Sequence, residues 1–277
     1  MSRATIVVPC YNEAKRLDLA AMHDFARRAH AVELLLVNDG SRDNTLEMIE
    51  RLHVSNPRRF SFLHLARNSG KAEAVRQGLL LALASRPDYV GFWDADLATP
   101  LSDIEPFCRL LDNKPRIEAV IGTRMCLLGH QIERRPLRYW LGRLFANTAS
   151  LALGARIFDT QCGAKVFRVT PHLEHVLAQP FLARWIFDVE LFARLQQLRR
   201  ADRLPPLAET IYEFPLDAWR EVGGSTIRSG DFLKAPAEMA KIYWTYLRPG
   251  LRPAVRPTLP LTEPSAPPSR SGKQQAA

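Results

Sequence analysis

The stretch Tyr89-Val-Gly-Phe-Trp-Asp-Ala-Asp96 joins an uncharged run of strand length to two carboxylates one residue apart. A short apolar run of this kind is typical of a strand covered on both faces of a sheet. Because the two carboxylates repel each other, a turn that aims both at one point favours a cation between them. The stretch therefore predicts a buried strand that ends at a Mg²⁺ or Mn²⁺ site, with a solvated acidic turn as the alternative.

The same alternation of short apolar runs and helix-period segments extends along the first half of the chain. Strands are predicted at 5–8, 33–37, 60–64, 89–93 and 119–122, and helices at 14–29, 43–54, 71–84 and 102–113. This order predicts an α/β fold, with a doubly wound, mostly parallel sheet flanked by helices. Ligands bind such sheets at the carboxyl ends of the strands.

Polar residues collect after three of these strands, at 9–13, 38–41 and 94–96. Any one of these segments is better explained as an ordinary turn, since strand ends commonly run into polar turns. Three of them at one edge of a single sheet favour a binding site.

Composition limits the classes of protein. The chain has 277 residues and a formal net charge of +9, which indicates an anionic partner, and its four cysteines are too dispersed for a disulfide framework or a zinc site. No apolar stretch approaches the roughly 20 residues of a spanning helix, so we expect membrane contact to be peripheral or to come through an integral-membrane partner. Nucleic-acid binding is disfavoured, because basic and aromatic residues do not interleave as in a single-strand groove.

We expect one folded domain over 1–248 and a disordered, proline-rich tail over 249–277. The segment 230–248 is predicted to form an amphipathic helix. Its aromatic and basic residues suit either a membrane-facing position or packing as the last helix of the core.

Four segments occur with a characteristic order and spacing: Val7-Val-Pro-Cys-Tyr-Asn-Glu13, Val37-Asn-Asp-Gly-Ser41, Asn68-Ser-Gly-Lys-Ala72 and Asp94-Ala-Asp96. Together they resemble the inverting family 2 glycosyltransferases, which have the Rossmann-like GT-A fold. Later segments are similar to the polyprenyl-phosphate sugar synthases, and closer to the dolichyl-phosphate β-glucosyltransferases than to the mannose-phosphate synthases: Gly122-Thr-Arg124, Asp159-Thr-Gln-Cys-Gly-Ala-Lys165, Arg184-Trp-Ile-Phe-Asp-Val-Glu190 and Trp219-Arg-Glu-Val-Gly-Gly-Ser225.

The resemblance covers about residues 4–230. It implies a metal-dependent, inverting transfer of glucose or mannose from UDP-glucose or GDP-mannose to a polyprenyl phosphate, on the cytoplasmic face of a membrane. Two alternatives stay open at this point: a family 2 enzyme that glycosylates a saccharide hydroxyl, and a non-catalytic nucleotide-binding protein with the same fold.

The resemblance also implies roles for individual residues. Asp94 and Asp96 are the expected metal ligands, and Ala98 stands where many mannose-phosphate synthases carry a further ligand, a Gln. The expected nucleotide-sugar site consists of Pro9, Tyr11, Glu13, Val37, Asp39, Lys71, Asp94, Ala95, Asp96, Arg220 and Arg228.

The acceptor phosphate is expected to bind Arg124 and one further arginine, Arg138 or else Arg135, because a guanidinium matches phosphate with two parallel hydrogen bonds. Arg134 and Arg143 are better explained as solvated or membrane-facing. The groups expected to act in the reaction are Asp96, Arg124, Asp188 and Arg220. For Asp188, a site role in binding or catalysis and a structural role are both open, with general-base action the secondary reading.

Overall fold

The computed structural model describes residues 2–133, 136–220 and 229–248, apart from the side chains of 133–141 and 229–233. The predicted tail over 249–277 lies outside the described residues. The strands are β1 (Ala4–Cys10), β2 (Val32–Asp39), β3 (Phe60–Leu65), β4 (Tyr89–Trp93), β5 (Ala119–Thr123), β6 (Gln131–Glu133), β7 (Ala164–Arg168), β8 (Ile211–Pro215) and β9 (Ala218–Arg220). The five strands predicted from apolar runs are confirmed to within two residues at each end.

Seven strands form one sheet in the order β3-β2-β1-β4-β7-β5-β8. Every pairing is parallel except those of β7, which runs antiparallel to β4 and β5. The predicted doubly wound, mostly parallel α/β architecture is thereby confirmed. Residues that alternate along β1 pack on opposite sides, Val7 into one apolar cluster and Ile6 into the other, so both faces of the sheet are covered.

The helices of the described residues are α1 (Leu19–Arg28), α2 (Thr45–Ser55), α3 (Lys71–Ala84), α4 (Ile104–Asn113), α5 (Pro136–Leu153), α6 (Pro171–Leu177), α7 (Phe187–Ala201) and α8 (Ser229–Ile242). The first helix begins later than the predicted residue 14. The carbonyl of Glu13 accepts from the backbone N–H groups of Arg16 and Leu17 in a turn, and Asp18 caps the helix by accepting from Ala21 N at 2.9 Å.

The antiparallel strand β7 brings a distant loop to the end of β4. In its register, Trp93 pairs with Ala164 and Phe92 with Lys165. The loop at 159–163, which leads into β7, therefore lies directly beside Asp94.

A separate two-stranded parallel sheet is formed by β6 and β9. At the end of β9, the backbone N–H of Arg220 donates to the carbonyl of Ala98 at 3.2 Å.

The last helix resolves the two interpretations of 230–248 in part. A π-helical turn at Tyr243–Leu247 follows α8. Ala235, Met239 and Ile242 of α8 are buried in the core, as are Tyr246 and Leu247 of the turn. Tyr243 and Trp244 stay exposed on the other side of the turn. Core packing is thus confirmed for one face of the segment. Within the described parts of the chain, no helix combines the length and hydropathy needed to span a bilayer.

Candidate active site

The carboxyl ends of β1, β2, β4 and β5 meet at one edge of the sheet, and polar side chains gather there. Asp94 and Asp96 follow β4, and Lys71 is the first residue of α3. The Lys71 ammonium pairs with Asp94 Oδ1. Burial opposes the charge on Lys71, but the charges of Asp94, Asp188 and Asp96 outweigh burial and raise its pKa. A lysine thus lies among three carboxylates.

Asp96 is held by a hydrogen bond within its own loop. Asp96 Oδ1 accepts a hydrogen bond from Ala98 N at 3.1 Å. Burial and the neighbouring charge of Asp94 raise the pKa of Asp96. Ala98 contributes its backbone N–H to Asp96 and its carbonyl to Arg220.

These residues suit a hard divalent cation. Asp94 and Asp96 share one loop, and the Lys71 ammonium already pairs with Asp94. Burial and the charge of Asp94 raise the pKa of Asp96, which a bound cation would offset. Among the described residues, no cluster of three or more His, Cys, Asp and Glu side chains is arranged to hold a metal. Asp94 and Asp96 are the residues that could hold such a cation, with its other positions left to substrate oxygens and water.

Gly163 gives the Asp94 carboxylate its space. A Cβ at residue 163 would lie 1.9 Å from Asp94 Oδ2, and the Gly163 carbonyl accepts from Asp94 N at 3.0 Å. No side chain larger than hydrogen fits without moving the carboxylate. Ala95, between the two aspartates, is buried.

The end of β1 supplies a further carboxylate, Glu13, near Asp94 and Asp96. Glu13 is 8% exposed and accepts from Arg16 Nε at 2.8 Å. Burial raises the pKa of Glu13 despite this guanidinium, and the charges of Asp96 and Asp94 act in the same direction as burial. Tyr11 and Pro9 are half-buried beside it. Arg16 is thereby placed among the site's carboxylates, a contact that the sequence motifs did not assign.

Asp39 and Val37, both expected to line the nucleotide site, lie deeper than expected. The Asp39 carboxylate is 2% exposed and accepts from Ser69 N at 2.6 Å and Gly70 N at 2.8 Å, so it shapes the loop before Lys71. Val37 is fully buried in the core. Its backbone pairs with both neighbouring strands, so a direct contact of the Val37 side chain with a ligand is not supported.

Arg124, at the end of β5, is held rigidly. Its guanidinium donates from Nε to Asp159 Oδ2 at 2.6 Å and from Nη2 to Asp159 Oδ1 at 2.8 Å, and it lies over the Trp219 ring at 5.1 Å. Burial opposes its charge, but Asp159 outweighs burial and raises the pKa of Arg124. The loop at 159–163 contacts both strand ends, because Asp159 holds Arg124 and the Gly163 carbonyl accepts from Asp94 N.

Of the other arginines singled out in the sequence, Arg143 differs from its prediction. It is half-buried, lies 3.7 Å over the Phe158 ring and donates to the Phe158 carbonyl at 3.0 Å. Arg143 is therefore half-buried rather than freely solvated, and it ties α5 to the residue before Asp159. Arg134, Arg135 and Arg228 lie outside the described residues, as does the side chain of Arg138.

Asp188 lies in the first turn of α7, under the site. It is 5% exposed and accepts from Nζ of Lys165 at 2.5 Å, and Lys165 itself is fully buried. The start of α7 is fixed by α8, because the Glu238 carboxylate accepts from Trp185 N and Ile186 N at 3.2 and 3.1 Å. Asp188 is thus a tightly positioned carboxylate in a buried pair with Lys165.

Three buried polar atoms near Arg124 have no hydrogen-bond partner among the described residues: Thr123 Oγ1, Thr160 Oγ1 and Gln161 Nε2. All three lie where the end of β5 meets the loop at 159–163. Buried polar groups normally have partners, so these atoms are available to a ligand or water.

Comparison with known proteins identifies the family. The sequence profile of glycosyl transferase family 2 matches residues 5–175. The chain belongs to glycosyl transferase family 2. A dolichyl-phosphate beta-glucosyltransferase of Trichomonas vaginalis is 32% identical over 259 residues, covering 89% of this chain and 72% of that protein. The dolichyl-phosphate beta-glucosyltransferase of Saccharomyces cerevisiae is 31% identical and covers 88% of this chain and 75% of that one.

Solved structures share the fold of this glycosyltransferase. Glucosyl-3-phosphoglycerate synthase from Mycobacterium tuberculosis, in complex with Mn²⁺, UDP-glucose and phosphoglyceric acid, superposes with a TM-score of 0.61. It is 17% identical and covers 88% of this chain and 80% of that one. At this identity the likeness establishes the GT-A fold alone.

The sequence motifs missed the partners that hold the transferase's site together. Lys165, Asp159 and Arg16 were present in or near the quoted segments without assigned roles. A buried lysine in a strand is itself a signal, since lysine is almost never fully buried unless it is paired. Sequence alone does not reveal that Lys165 lies in the antiparallel strand, beneath Asp188.

Proposed function

We propose that this glycosyltransferase inverts the anomeric centre as it transfers a hexose, glucose in preference to mannose, from a nucleoside diphosphate sugar to a polyprenyl phosphate. One observation carries the proposal. Asp94, Asp96 and Lys71 at the end of β4 share one edge of the sheet with Arg124 at the end of β5. A site for the donor diphosphate therefore adjoins a guanidinium for a second phosphate.

Asp94 and Asp96 are the residues that would hold Mg²⁺ or Mn²⁺, and the ion would neutralise charge on the departing diphosphate. Lys71 lies in hydrogen-bond contact with Asp94 and is placed to add a further positive charge to the same oxygens. Glu13 and Tyr11 at the end of β1 border the nucleoside side of this group. Arg220 is brought over the Asp96 loop by its backbone bond to Ala98.

The acceptor phosphate needs no strong general base, because it is already anionic near neutral pH. One of its oxygens attacks the anomeric carbon, and the bond from that carbon to the diphosphate oxygen breaks, with the electron pair leaving on the diphosphate. Arg124, fixed by Asp159 and Trp219, orients the attacking phosphate through its remaining N–H groups. Gln161, Thr160 and Thr123 offer unpaired polar atoms to hydroxyls of the sugar.

The relatives support the choice of substrates. Two of them, over most of this chain, are named dolichyl-phosphate beta-glucosyltransferases. Structural neighbours are solved with UDP, Mn²⁺ and UDP-glucose. These names support UDP-glucose and a polyprenyl phosphate as the substrates, and we propose in addition that the reaction takes place at the cytoplasmic face of a membrane.

The test is transfer of label. Purified full-length protein is incubated with Mn²⁺ or Mg²⁺, a polyprenyl phosphate in detergent, and radiolabelled UDP-glucose or GDP-mannose in separate reactions. We expect an organic-extractable glycolipid from UDP-glucose, and its loss in Asp96→Asn. Asp24→Asn is the matched control, because Asp24 is an exposed aspartate on α1 that pairs with Arg27 only at the surface.

Absence of lipid-linked label with either donor, while label reaches a saccharide hydroxyl instead, would overturn the choice of acceptor. Metal-dependent binding of UDP without turnover of any donor would show a non-catalytic protein.

A further inference from the structure

The outer face of α5 is apolar where a surface helix is ordinarily polar. Leu144 is 67% exposed and Leu151 is 85% exposed, with exposed Thr148 between them. The spacing of four and three residues puts the three side chains in one stripe. The opposite stripe, Ala146, Ala149 and Leu153, is buried. Two leucines therefore face outward from a helix whose inner side is already packed.

The π-helical turn after α8 also carries exposed aromatic side chains. Trp244 is 60% exposed and Tyr243 38% exposed, and the Arg248 guanidinium lies 5.5 Å from the Trp244 ring centroid. The turn packs against α5. Arg200 bridges the ends of both elements: its Nη2 lies 3.8 Å from the position of a Cβ on Gly154, and its Nη1 is 3.5 Å from the Leu247 carbonyl.

The described residues next to these exposed side chains add positive charge, since Arg156, Lys241 and Arg248 are all exposed. The segment 134–158, which contains α5, has five arginines and no acidic residue. The segment 239–248 has Lys241 and Arg248 and again no acidic residue. Exposed leucines and an indole beside exposed cations suit the boundary of an anionic bilayer better than the surface of a typical protein partner.

The same face is connected to the acceptor end of the site. Arg143, on α5, donates to the carbonyl of Phe158, and the next residue, Asp159, holds Arg124. The Glu213 carboxylate accepts from the N–H groups of both Phe158 and Asp159, at 2.7 and 3.0 Å. α5 is thereby fixed to the loop that positions the acceptor arginine.

We propose that Leu144, Leu151, Tyr243 and Trp244, here called the α5 face, dock this protein on an anionic lipid bilayer and so present the Arg124 side of the site to a membrane-embedded acceptor. The binding surface stands on exposure and charge alone. Its role in catalysis rests on the proposed transfer to a polyprenyl phosphate.

The binding test uses sedimentation of the full-length protein with vesicles of phosphatidylcholine alone or with phosphatidylglycerol. We expect binding to the anionic vesicles, a loss of about tenfold or more in partitioning for Leu144→Glu/Leu151→Glu, and a smaller loss for Trp244→Ala. Val54→Glu is the matched control, since Val54 is 77% exposed on α2, away from the α5 face. Circular dichroism confirms that each variant is folded.

Equal vesicle binding by the double variant and the wild type would overturn the proposal. So would a wild-type dimer in size-exclusion chromatography that the double variant converts to monomer without lipid, because the face would then cover a second copy of the chain.

Turnover separates this inference from the proposed function. With a short, water-dispersed isoprenyl phosphate the double variant should keep the wild-type rate, and with a polyprenyl phosphate embedded in anionic vesicles it should lose about tenfold or more. If the wild type transfers to neither acceptor, the proposed function fails while the vesicle measurement still decides the α5 face. An equal loss on both acceptors would overturn the docking role.

Discussion

Nζ of Lys165 donates to Asp188 Oδ1 at 2.5 Å, in a fully buried ion pair that joins the antiparallel strand β7 to the first turn of α7. The same Nζ donates to the Cys162 carbonyl, also at 2.5 Å, and lies 5.0 Å from the Phe92 ring centroid. The pair therefore lies next to β4, the strand that leads into Asp94. Positive and negative side chains thus alternate from Lys165 to Asp188, then to Lys71 and Asp94.

Removal of the Lys165 ammonium should cost more stability than removal of the whole pair. Lys165→Met leaves the Asp188 carboxylate buried and uncompensated, and we expect the free energy of unfolding to fall by about 3–5 kcal/mol. Lys165→Met/Asp188→Asn should recover most of this loss. Urea denaturation followed by circular dichroism measures both. A double variant as unstable as the single one would show that the lysine acts through packing rather than through charge.

Asp188→Asn discriminates between the two acceptor chemistries. If Asp188 positions charge for a phosphate nucleophile, kcat should fall by about tenfold or less. If it deprotonates a hydroxyl, the loss should be about 10²–10⁴-fold. Steady-state kinetics with UDP-glucose and a short isoprenyl phosphate provide the measurement, at a temperature where the variant is fully folded. A loss above a hundredfold would contradict the positioning role.

Gly163→Ala should disable the metal-diphosphate side of the site while the fold persists. The added methyl would fall 1.9 Å from Asp94 Oδ2 and force this carboxylate away from Lys71. We expect UDP binding, measured by calorimetry, to lose most of its dependence on Mn²⁺, and kcat/KM to fall at least about a hundredfold, because small misplacements at a reacting centre are costly.

The matched glycine is Gly142, in α5, where nothing lies within 4 Å of an added Cβ. Gly142→Ala should leave activity unchanged and stabilise the helix by about 0.5–1 kcal/mol. Wild-type kinetics in Gly163→Ala would mean that the Asp94 carboxylate moves freely without loss of function.

Local sequence patterns predicted the strands and the carboxylates that follow them. Asp94, Asp96 and Lys71 lie next to element ends that periodicity alone locates, so their meeting at one edge follows from the parallel sheet. Glu13 was predicted at the site on the same grounds. Its partner Arg16 was not, because the chain between them forms a turn where the apolar spacing indicated a helix.

The long-range pairings could not be predicted in this way. Arg124 and Asp159 are 35 residues apart, and Lys165 and Asp188 are 23 residues apart. Both pairs depend on β7 entering the sheet antiparallel between β4 and β5. No periodicity in the sequence encodes that insertion, which decides that Gly163 faces Asp94 and that Asp159 faces Arg124.

Asp103 should give the folded state a pH dependence of its own. Its Oδ2 is buried and has no hydrogen-bond partner in the described parts of the chain. Burial together with the charge of Asp217 raises the pKa of Asp103 to about 6. The folded state then binds this proton more tightly than the unfolded chain does. The contribution of Asp103 to the free energy of unfolding therefore falls as the pH rises from about 4 to about 6. Above about pH 6 the ionised carboxylate destabilises the folded state by a constant amount.

Asp103→Asn removes the charge and with it the penalty. We expect the variant to be more stable than the wild type at pH 7–8, by about 1–2 kcal/mol after allowance for the partial exposure of the side chain, and the difference to vanish near pH 4. Urea denaturation across the range measures it. Asp24→Asn, at an exposed position on α1, should show no such trend. A constant difference between Asp103→Asn and the wild type at all pH values would mean that Asp103 is ionised throughout.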